Sequence, residues 1–128
     1  MPTMVFPNLP VRNVAAARAF YTDLGFAINE DFSNENAVCV VVTDNVCVMA
    51  VDSEFFLSNT TKALADTKHV IGGALAIALE SRAAVDKLVD AALASGGTQA
   101  TPTTEMEGFY SRNFYDLDGH QWDVLHMG

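Results

Sequence analysis

Two segments of the chain show the hydrophobic spacing of an amphipathic helix. The first covers residues 14–24, after Asn13 and before Gly25. The second covers residues 82–94, after Ser81 and before a pair of glycines. Apolar residues recur every three or four positions in both, so each segment predicts a helix with one buried face. Asn or Ser at the start and glycine just past the end are typical helix caps.

Runs of alternating or continuous apolar residues predict strands around these helices. Residues 37–43 and 46–51 are β-branched runs joined by Asp44-Asn45, which predicts a hairpin. A second hairpin is predicted at residues 109–127, where an Asp-Leu-Asp-Gly turn separates two runs. The weaker predictions are strands at 4–11, 26–32, 73–79 and 98–101, a short helix at 61–65 and a mobile loop at 105–108.

The predicted order of elements repeats. A strand, a helix and three strands occur twice, and the two capped helices start 68 residues apart. A period this long indicates a duplicated supersecondary module and not a solenoid. We therefore predict an α+β fold of two βαβββ modules in one domain, residues 1–128, whose sheets curve around a cup. Module one is 1–57, the connector is 58–68 and module two is 69–128.

The last predicted strand carries an acid among apolar residues. Alternation divides it into two faces, Trp122, Val124 and His126 against Gln121, Asp123 and Leu125. If the Trp122 face packs under a helix, Asp123 points into a cavity. The alternative is a solvent-facing acid on a one-sided sheet.

Charge and composition narrow the class of partner. The net charge is −9 and the pI about 4.4, which argues against nucleic acid or an anionic membrane as partner. We see no signal-like or membrane-spanning segment, so we expect a cytoplasmic protein. Half of the residues are hydrophobic and the mean hydropathy is +0.18, which favours a homodimer with a buried interface.

The two cysteines have no metal-type spacing. If Thr43 pairs with Val46, Cys39 lies opposite Ala50, and Cys47 lies on the other face of the hairpin. We therefore expect no disulfide between them and interpret both as small buried hydrophobes.

The closing hairpin also carries a family resemblance. Its matching residues are Phe114, Asp116, Asp118, Gly119, His120, Trp122, Asp123 and Val124. Further matches are the stretches Leu-Pro-Val-Arg-Asn ending at Asn13, Ala-Phe-Tyr ending at Tyr21 and Leu-Gly-Phe ending at Phe26. The chain resembles the vicinal-oxygen-chelate superfamily, which includes glyoxalase I, extradiol dioxygenases and the fosfomycin and bleomycin resistance proteins. The resemblance implies the same paired βαβββ modules over essentially the whole chain.

The resemblance also implies where a divalent metal would bind. The family's ligand positions fall on Phe6, near residues 47–49, near residues 73–74 and on Asp123. A phenyl ring cannot ligate a metal, and three of the four positions look empty. We therefore predict no metal and no other cofactor. His69, a few residues before the fifth strand, is an alternative ligand if the strand shifts, although a loop histidine is the simpler interpretation.

Three functions remain open at this stage. The first is a glyoxalase/bleomycin-resistance-like protein that binds a small organic ligand in its cup without the usual metal triad. The second is a glyoxalase-type lyase or a dioxygenase that uses a divalent metal with rearranged ligands. The third is a homodimeric module with no small-molecule role. The sequence leaves open whether the protein is an enzyme.

The candidate site is centred on Asp123. Asp123 is predicted to orient a polar ligand or to act as a general base, with Arg112 as its partner. Its expected walls are Asn8, Tyr110 and Arg112, with Phe55 or Phe56 as a possible lid. The alternative is that Asp123 merely pairs with Arg112 or that Arg112 is a surface residue, because the hairpin register is open.

Overall fold

The computed structural model describes residues 3–128, which divide into two compact units. The first extends to Leu64 and the second is Ala65–Gly128. The boundary falls inside the predicted connector, residues 58–68.

The first unit is a four-stranded sheet with two α-helices. Its elements are β1 (Asn8–Val11), α1 (Val14–Asp23), β2 (Ala27–Ile28), β3 (Ala37–Thr43), β4 (Val46–Asp52) and α2 (Ser53–Leu57). The strand order is β1-β4-β3-β2, with β1 parallel to β4 and the other pairs antiparallel. Strand β1, which contains Pro10, is an edge of this sheet.

Helix α1 begins at the predicted cap. The side chain of Asn13 accepts a hydrogen bond of 2.9 Å from the backbone N–H of Ala16, which satisfies one of the free donors of the first turn. Phe20 and Tyr21 pack edge to face with ring centroids 5.1 Å apart, and both are buried. The predicted apolar face of the helix therefore forms part of the core of the first unit.

The second unit repeats this arrangement. Its elements are β5 (Ala74–Ala78), α3 (Arg82–Ala94), β6 (Thr104–Met106), β7 (Phe109–Tyr115) and β8 (Gln121–Met127). The strand order is β5-β8-β7-β6, with β5 parallel to β8. Its core contains Trp122 and Phe114, which stack with ring centroids 6.2 Å apart and are fully buried. The predicted α+β fold with two βαβββ modules is confirmed.

Two of the predicted strands are shorter in the structure than expected. Residues 26–32 form only the two-residue β2 and then a 3-10 turn, Glu30–Phe32, because the side chain of Asn29 caps that turn at 3.0 Å from the N–H of Asp31. The weak strand expected at residues 98–101 is a single bridge, Thr98 to Tyr115. The sixth strand is Thr104–Met106, and it overlaps residues 105–106 of the segment predicted to be a mobile loop.

The predicted connector helix at residues 61–65 is wrong. The helix lies earlier, at Ser53–Leu57, because Asp52 at the end of β4 accepts a hydrogen bond of 3.2 Å from the N–H of Phe55 and so caps it. Within residues 3–128, no helix is long and apolar enough to span a membrane.

The register of the first hairpin differs from the predicted one. Thr43 pairs with Val46 as expected, but the register shifts between Val41 and Thr43. This irregularity places Cys39 opposite Met49 and Cys47 opposite Val41. Because a shift of one residue reverses the face, the two thiols share a face of the sheet, and the prediction of opposite faces is wrong.

Candidate functional site

Asp123 lies mid-strand in β8 with neighbours on both sides. It is opposite Asn113 of β7 and opposite Ala76 of β5, and residues directly opposite each other share a face of the sheet. We call this surface of the second sheet the Asp123 face. Its members on the three strands are Ala74, Ala76, Ala78, Phe109, Ser111, Asn113, Tyr115, Gln121, Asp123, Leu125 and Met127.

Two side-chain amides hold the Asp123 carboxylate. Gln121 Nε2 donates to Asp123 Oδ1 at 2.9 Å and Asn113 Nδ2 donates to the same oxygen at 3.3 Å. Asn113 is itself fixed, because its Oδ1 accepts from the backbone N–H of Thr101 at 2.9 Å and its Nδ2 donates to Thr101 Oγ1 at 2.8 Å. Since Asn113 Oδ1 accepts from a backbone N–H, its amide nitrogen must face the carboxylate.

The strand beside Asp123 has small side chains on this face. Ala74, Ala76 and Ala78 are all exposed, and Ala76 is the direct neighbour of Asp123. A methyl group occupies little space, so the carboxylate has room on its β5 side. Tyr115 and Leu125 add apolar area on the same face. An acid with open space and apolar neighbours is a suitable arrangement for orienting a small ligand.

Arg112 and Tyr110 lie on the other face of the same sheet. Arg112 is opposite Val124, and Tyr110 is opposite His126. Val124 and His126 alternate with Asp123 along β8, so both pairs lie on the opposite face of the sheet. Arg112 Nη1 donates to Asp86 Oδ1 and to Asp90 Oδ1, both at 2.9 Å. The expectation that Arg112 lies beside Asp123 is therefore wrong, because strand alternation directs the arginine to α3.

The contacts of Tyr110 and Arg112 with Asp86 of α3 shift the pKa values of Asp86 and Tyr110. Tyr110 Oη donates to Asp86 Oδ1 at 2.6 Å. This bond, followed by the one from Arg112, lowers the pKa of Asp86, and the carboxylate in turn raises the pKa of Tyr110. Arg82 adds a cation–π contact 5.2 Å above the Tyr110 ring. These contacts join α3 to the sheet. They account for the positions of Tyr110 and Arg112 without a ligand.

The remaining predicted site residues belong to the first unit. Asn8 lies on β1 opposite Met49, is exposed, and its Nδ2 donates to the carbonyl of Phe6 at 2.7 Å. Phe55 and Phe56 lie in α2, and Phe55 is 39% exposed. Their roles as wall and lid stay predictions.

The residues at the family's metal positions do not fit a divalent metal with N and O ligands. Phe6 carries a ring that contacts Phe32, the residue at the fourth-strand position opposite Asn8 is Met49, and the start of β5 is Ala74. Among residues 3–128, no three His, Cys, Asp or Glu side chains are grouped to hold a metal ion. Such a site needs three or more protein ligands, and Asp123 supplies one.

None of the three histidines lies with Asp123. His69 pairs with Asp66 at 2.8 Å in an exposed position. His120 donates its backbone N–H to Asp116 Oδ1 at 3.0 Å, which supports the predicted turn. His126 has its Nδ1 2.8 Å from the carbonyl of Leu79, on the Trp122 face as predicted.

The direct partners of Asp123, Gln121 and Asn113, were not predicted from the sequence. Gln121 was identifiable, because it precedes Asp123 by two residues on the same strand and must share its face. Asn113 was not, because the hairpin register alone decides whether Arg112 or Asn113 is opposite Asp123. The fixed turn, with Asp116 O accepting from the N–H of Gly119 at 3.1 Å, sets that register.

Comparison with known proteins agrees with this fold. The family model described as bleomycin resistance protein-like N-terminal matches residues 3–43. No curated protein matches the chain. Among solved structures, the hypothetical protein SA1046 from S. aureus is 26% identical, with a TM-score of 0.82 over 98% of this chain and 94% of that chain.

Two further structures carry family names. A glyoxalase/bleomycin resistance protein/dioxygenase family enzyme from Burkholderia phytofirmans PsJN is 21% identical, with a TM-score of 0.79 over 99% of this chain and 100% of that one. A glyoxalase-related enzyme from Fulvimarina pelagi is 19% identical, with a TM-score of 0.81 over 98% and 88%. The predicted resemblance to the vicinal-oxygen-chelate superfamily is confirmed by this shared fold and by the match in the first module.

Proposed function

We propose that this chain, which has the fold of the vicinal-oxygen-chelate superfamily, is a glyoxalase/bleomycin-resistance-like protein that binds a small organic ligand without a metal triad. The observation that supports this most is the environment of Asp123. Its carboxylate is half-buried, oriented by two amides and open on the side of Ala76. A fixed polar group among apolar residues is typical of small-molecule sites.

The same geometry favours a ligand that donates a hydrogen bond. Gln121 and Asn113 both donate to Asp123 Oδ1, which leaves Oδ2 as the acceptor for a ligand. A carboxylate accepts from N–H or O–H groups and binds cationic amines more strongly than neutral ones. Tyr115 and Leu125 supply apolar contact for the rest of the molecule. We therefore propose a small ligand with an amine or hydroxyl group on an apolar body.

A thermal-shift screen tests this proposal. The panel should hold small amines, hydroxylated aromatics, thiol conjugates, aromatic drugs and small carboxylic acids, each measured with the wild-type protein and with Asp123→Asn and Ala76→Leu variants. We expect amine or hydroxyl compounds to raise the melting temperature of the wild type, and both variants to lose at least about tenfold in affinity, which corresponds to about 1.4 kcal/mol.

The matched control is Asp90→Asn, which removes an exposed acid on the α3 side of the same unit. Affinity should stay unchanged in this control. Ligands that bind Asp123→Asn and Ala76→Leu as tightly as the wild type would disprove the site. Turnover of a glyoxalase-type substrate that depends on an added divalent metal would favour the lyase or dioxygenase instead.

A further inference from the structure

Three sulfur-containing side chains converge on one face of the first sheet, in residues that the proposed ligand site does not use. Cys39 of β3 is directly opposite Met49 of β4, and Cys47 lies two residues before Met49 on the same strand. Residues two apart on a strand share a face, so all three side chains project from the same surface. We call Cys39, Cys47 and Met49 the sulfur cluster.

The strand pairing brings these side chains close together. The N–H of Cys39 donates to Ser33 Oγ and its carbonyl accepts from Asn29, both at 3.0 Å and both on the side away from β4. The N–H of Met49 donates to the carbonyl of Pro7, away from β3. Because neither backbone bonds to the other, Cys39 and Met49 form a non-hydrogen-bonded pair, in which the Cβ atoms are closest, about 4.5–5.5 Å apart.

Cys47 completes the cluster from the diagonal position. Its N–H donates to the carbonyl of Val5 at 3.0 Å, so its backbone is also held by the segment that precedes β1. Burial, followed by the neighbouring thiol of Cys47, raises the pKa of the Cys39 thiol to about 11. Both cysteines are buried and free, and Met49 is partly exposed. All three backbones are fixed by neighbouring chain segments, so the positions from which the three side chains project are preorganised.

The composition of the cluster selects the class of metal. Two thiols and a thioether are soft donors, which favour Cu(I) over Mg²⁺, Ca²⁺ or Mn²⁺. Structural zinc sites need four ligands from Cys, His, Asp or Glu. The nearest residues on this face are Val41, Val51 and Asn8 of β1, which is opposite Met49, and none of them is such a ligand. Three sulfur ligands suit the low coordination number of a monovalent soft ion.

We propose that Cys39, Cys47 and Met49 form a three-coordinate site for Cu(I). Binding forms two Cu–thiolate bonds and one Cu–thioether bond, and it releases the two thiol protons to water, with no change in oxidation state. The bound site carries one net negative charge. Because a metal binds the thiolate form, Cu(I) must displace the proton of each thiol that it binds.

An anaerobic competition titration tests the site. Cu(I) is supplied as its complex with a coloured chelator, and the protein is reduced beforehand. We expect one Cu(I) per chain to move from the chelator to the wild-type protein, seen as loss of the chelator colour and gain of thiolate-to-copper absorption in the ultraviolet. Zn²⁺ offered in the same way should not be retained.

Variants identify the ligands. Cys39→Ala and Cys47→Ala should each abolish the transfer. Met49→Leu conserves volume, keeps the fold and should lower the Cu(I) affinity at least about tenfold, because even outer contacts change metal affinity by 10- to 100-fold. The control is Met106→Leu, an exposed methionine of the second unit, which should bind Cu(I) as the wild type does.

Two results would overturn the proposal. One is Cu(I) transfer at wild-type affinity in either cysteine variant. The other is an unchanged affinity in Met49→Leu, which would remove the third ligand. Circular dichroism of each variant without metal shows that a loss of binding is not a loss of folding. Since Met49→Leu preserves the core volume, this variant keeps the test decisive if a cysteine variant fails to fold.

Discussion

Asn113 stands directly opposite Asp123 across β7 and β8, and its amide donates a hydrogen bond to the carboxylate at 3.3 Å. The same amide nitrogen donates to Thr101 Oγ1 at 2.8 Å. One side chain therefore connects the candidate site to the segment that leads into β6. A change at Asn113 should therefore alter both the candidate site and the segment that leads into β6.

The first prediction concerns this pair. Asn113→Asp places two carboxylates directly opposite each other and removes both donors, so the free energy of unfolding should fall by about 1–3 kcal/mol. Adding Asp123→Asn to that variant restores one donor–acceptor pair and should recover part of the loss. Urea denaturation of the two single variants and the double variant gives the coupling energy. Additive effects would show that the two side chains do not interact.

The second prediction concerns the pH dependence of the group around Asp86. The lowered pKa of Asp86 stabilises the fold above the carboxyl's unfolded pKa, about 4, and this contribution is lost as the pH falls through the lower folded value. The raised pKa of Tyr110 stabilises the fold below about pH 10, and this contribution is lost as the pH rises through the higher folded value.

The Asp86→Asn variant should therefore be less stable than the wild type mainly between about pH 4 and about pH 10. The loss should be about 1 kcal/mol, because Asp86 is partly exposed and solvent screens the pair. Tyr110→Phe should weaken the acid dependence, because it removes the first cause of the lowered Asp86 pKa and leaves the Arg112 contact, and it should abolish the alkaline one. Urea midpoints from pH 3 to 11 measure both, with the exposed Glu107→Gln as control. A constant difference between wild type and Asp86→Asn over the whole range would contradict this interpretation.

The third prediction compares two glycines with positive φ. Gly25 has φ +99° and open space around the position of a Cβ, whereas Gly119 has φ +86° and a Cβ there would overlap the backbone carbonyl of Thr67. Gly25→Ala should cost only the left-handed conformation, about 1–2 kcal/mol. Gly119→Ala should cost about 1–3 kcal/mol more, because backbone cannot yield as a side chain can. Thermal unfolding of both variants measures the difference, and equal costs would show that the contact relaxes.

The fourth prediction concerns divalent metals at Asp123. We expect no tight binding of Zn²⁺, Ni²⁺, Mn²⁺ or Fe²⁺ at this residue, since a single carboxylate competes poorly with water. Protein purified without a histidine tag should hold little of these metals after dialysis, by elemental analysis. Near-stoichiometric metal that disappears in Asp123→Ala would contradict the prediction and support the lyase.

The fifth prediction is the homodimer. Several large apolar side chains are exposed in the described chain, including Ile71 at 62%, Met106 at 58% and Met127 at 65%. Met106 and Met127 flank Phe109 in one row across β6, β7 and β8. A second copy that covers such surface should bury about 1,200 Å² or more in total. Light scattering at micromolar concentration should give twice the 13.8 kDa chain mass, and a monomer would refute the prediction.

The sequence by itself determined the regular elements with strong local signals. Helix α3 and strands β3, β7 and β8 have the predicted bounds, because capping residues and apolar periodicity act within a few residues of the chain. The duplicated order of these elements then determined the fold class, since each helix and sheet must bury one apolar face. The same local alternation separated Asp123 from Trp122 correctly.

Only the tertiary structure decided which residues meet across strands. A shift of one residue in pairing reverses every side chain, and no local pattern sets that shift. In the observed hairpin register, Asp123 pairs with Asn113, and Arg112 lies on the other face, where it pairs with Asp86 and Asp90. In the first sheet, the irregularity between Val41 and Thr43 brought Cys39 and Cys47 to one face. Pairing energy is spread over whole strands, so neither outcome is encoded in the few residues that form each site.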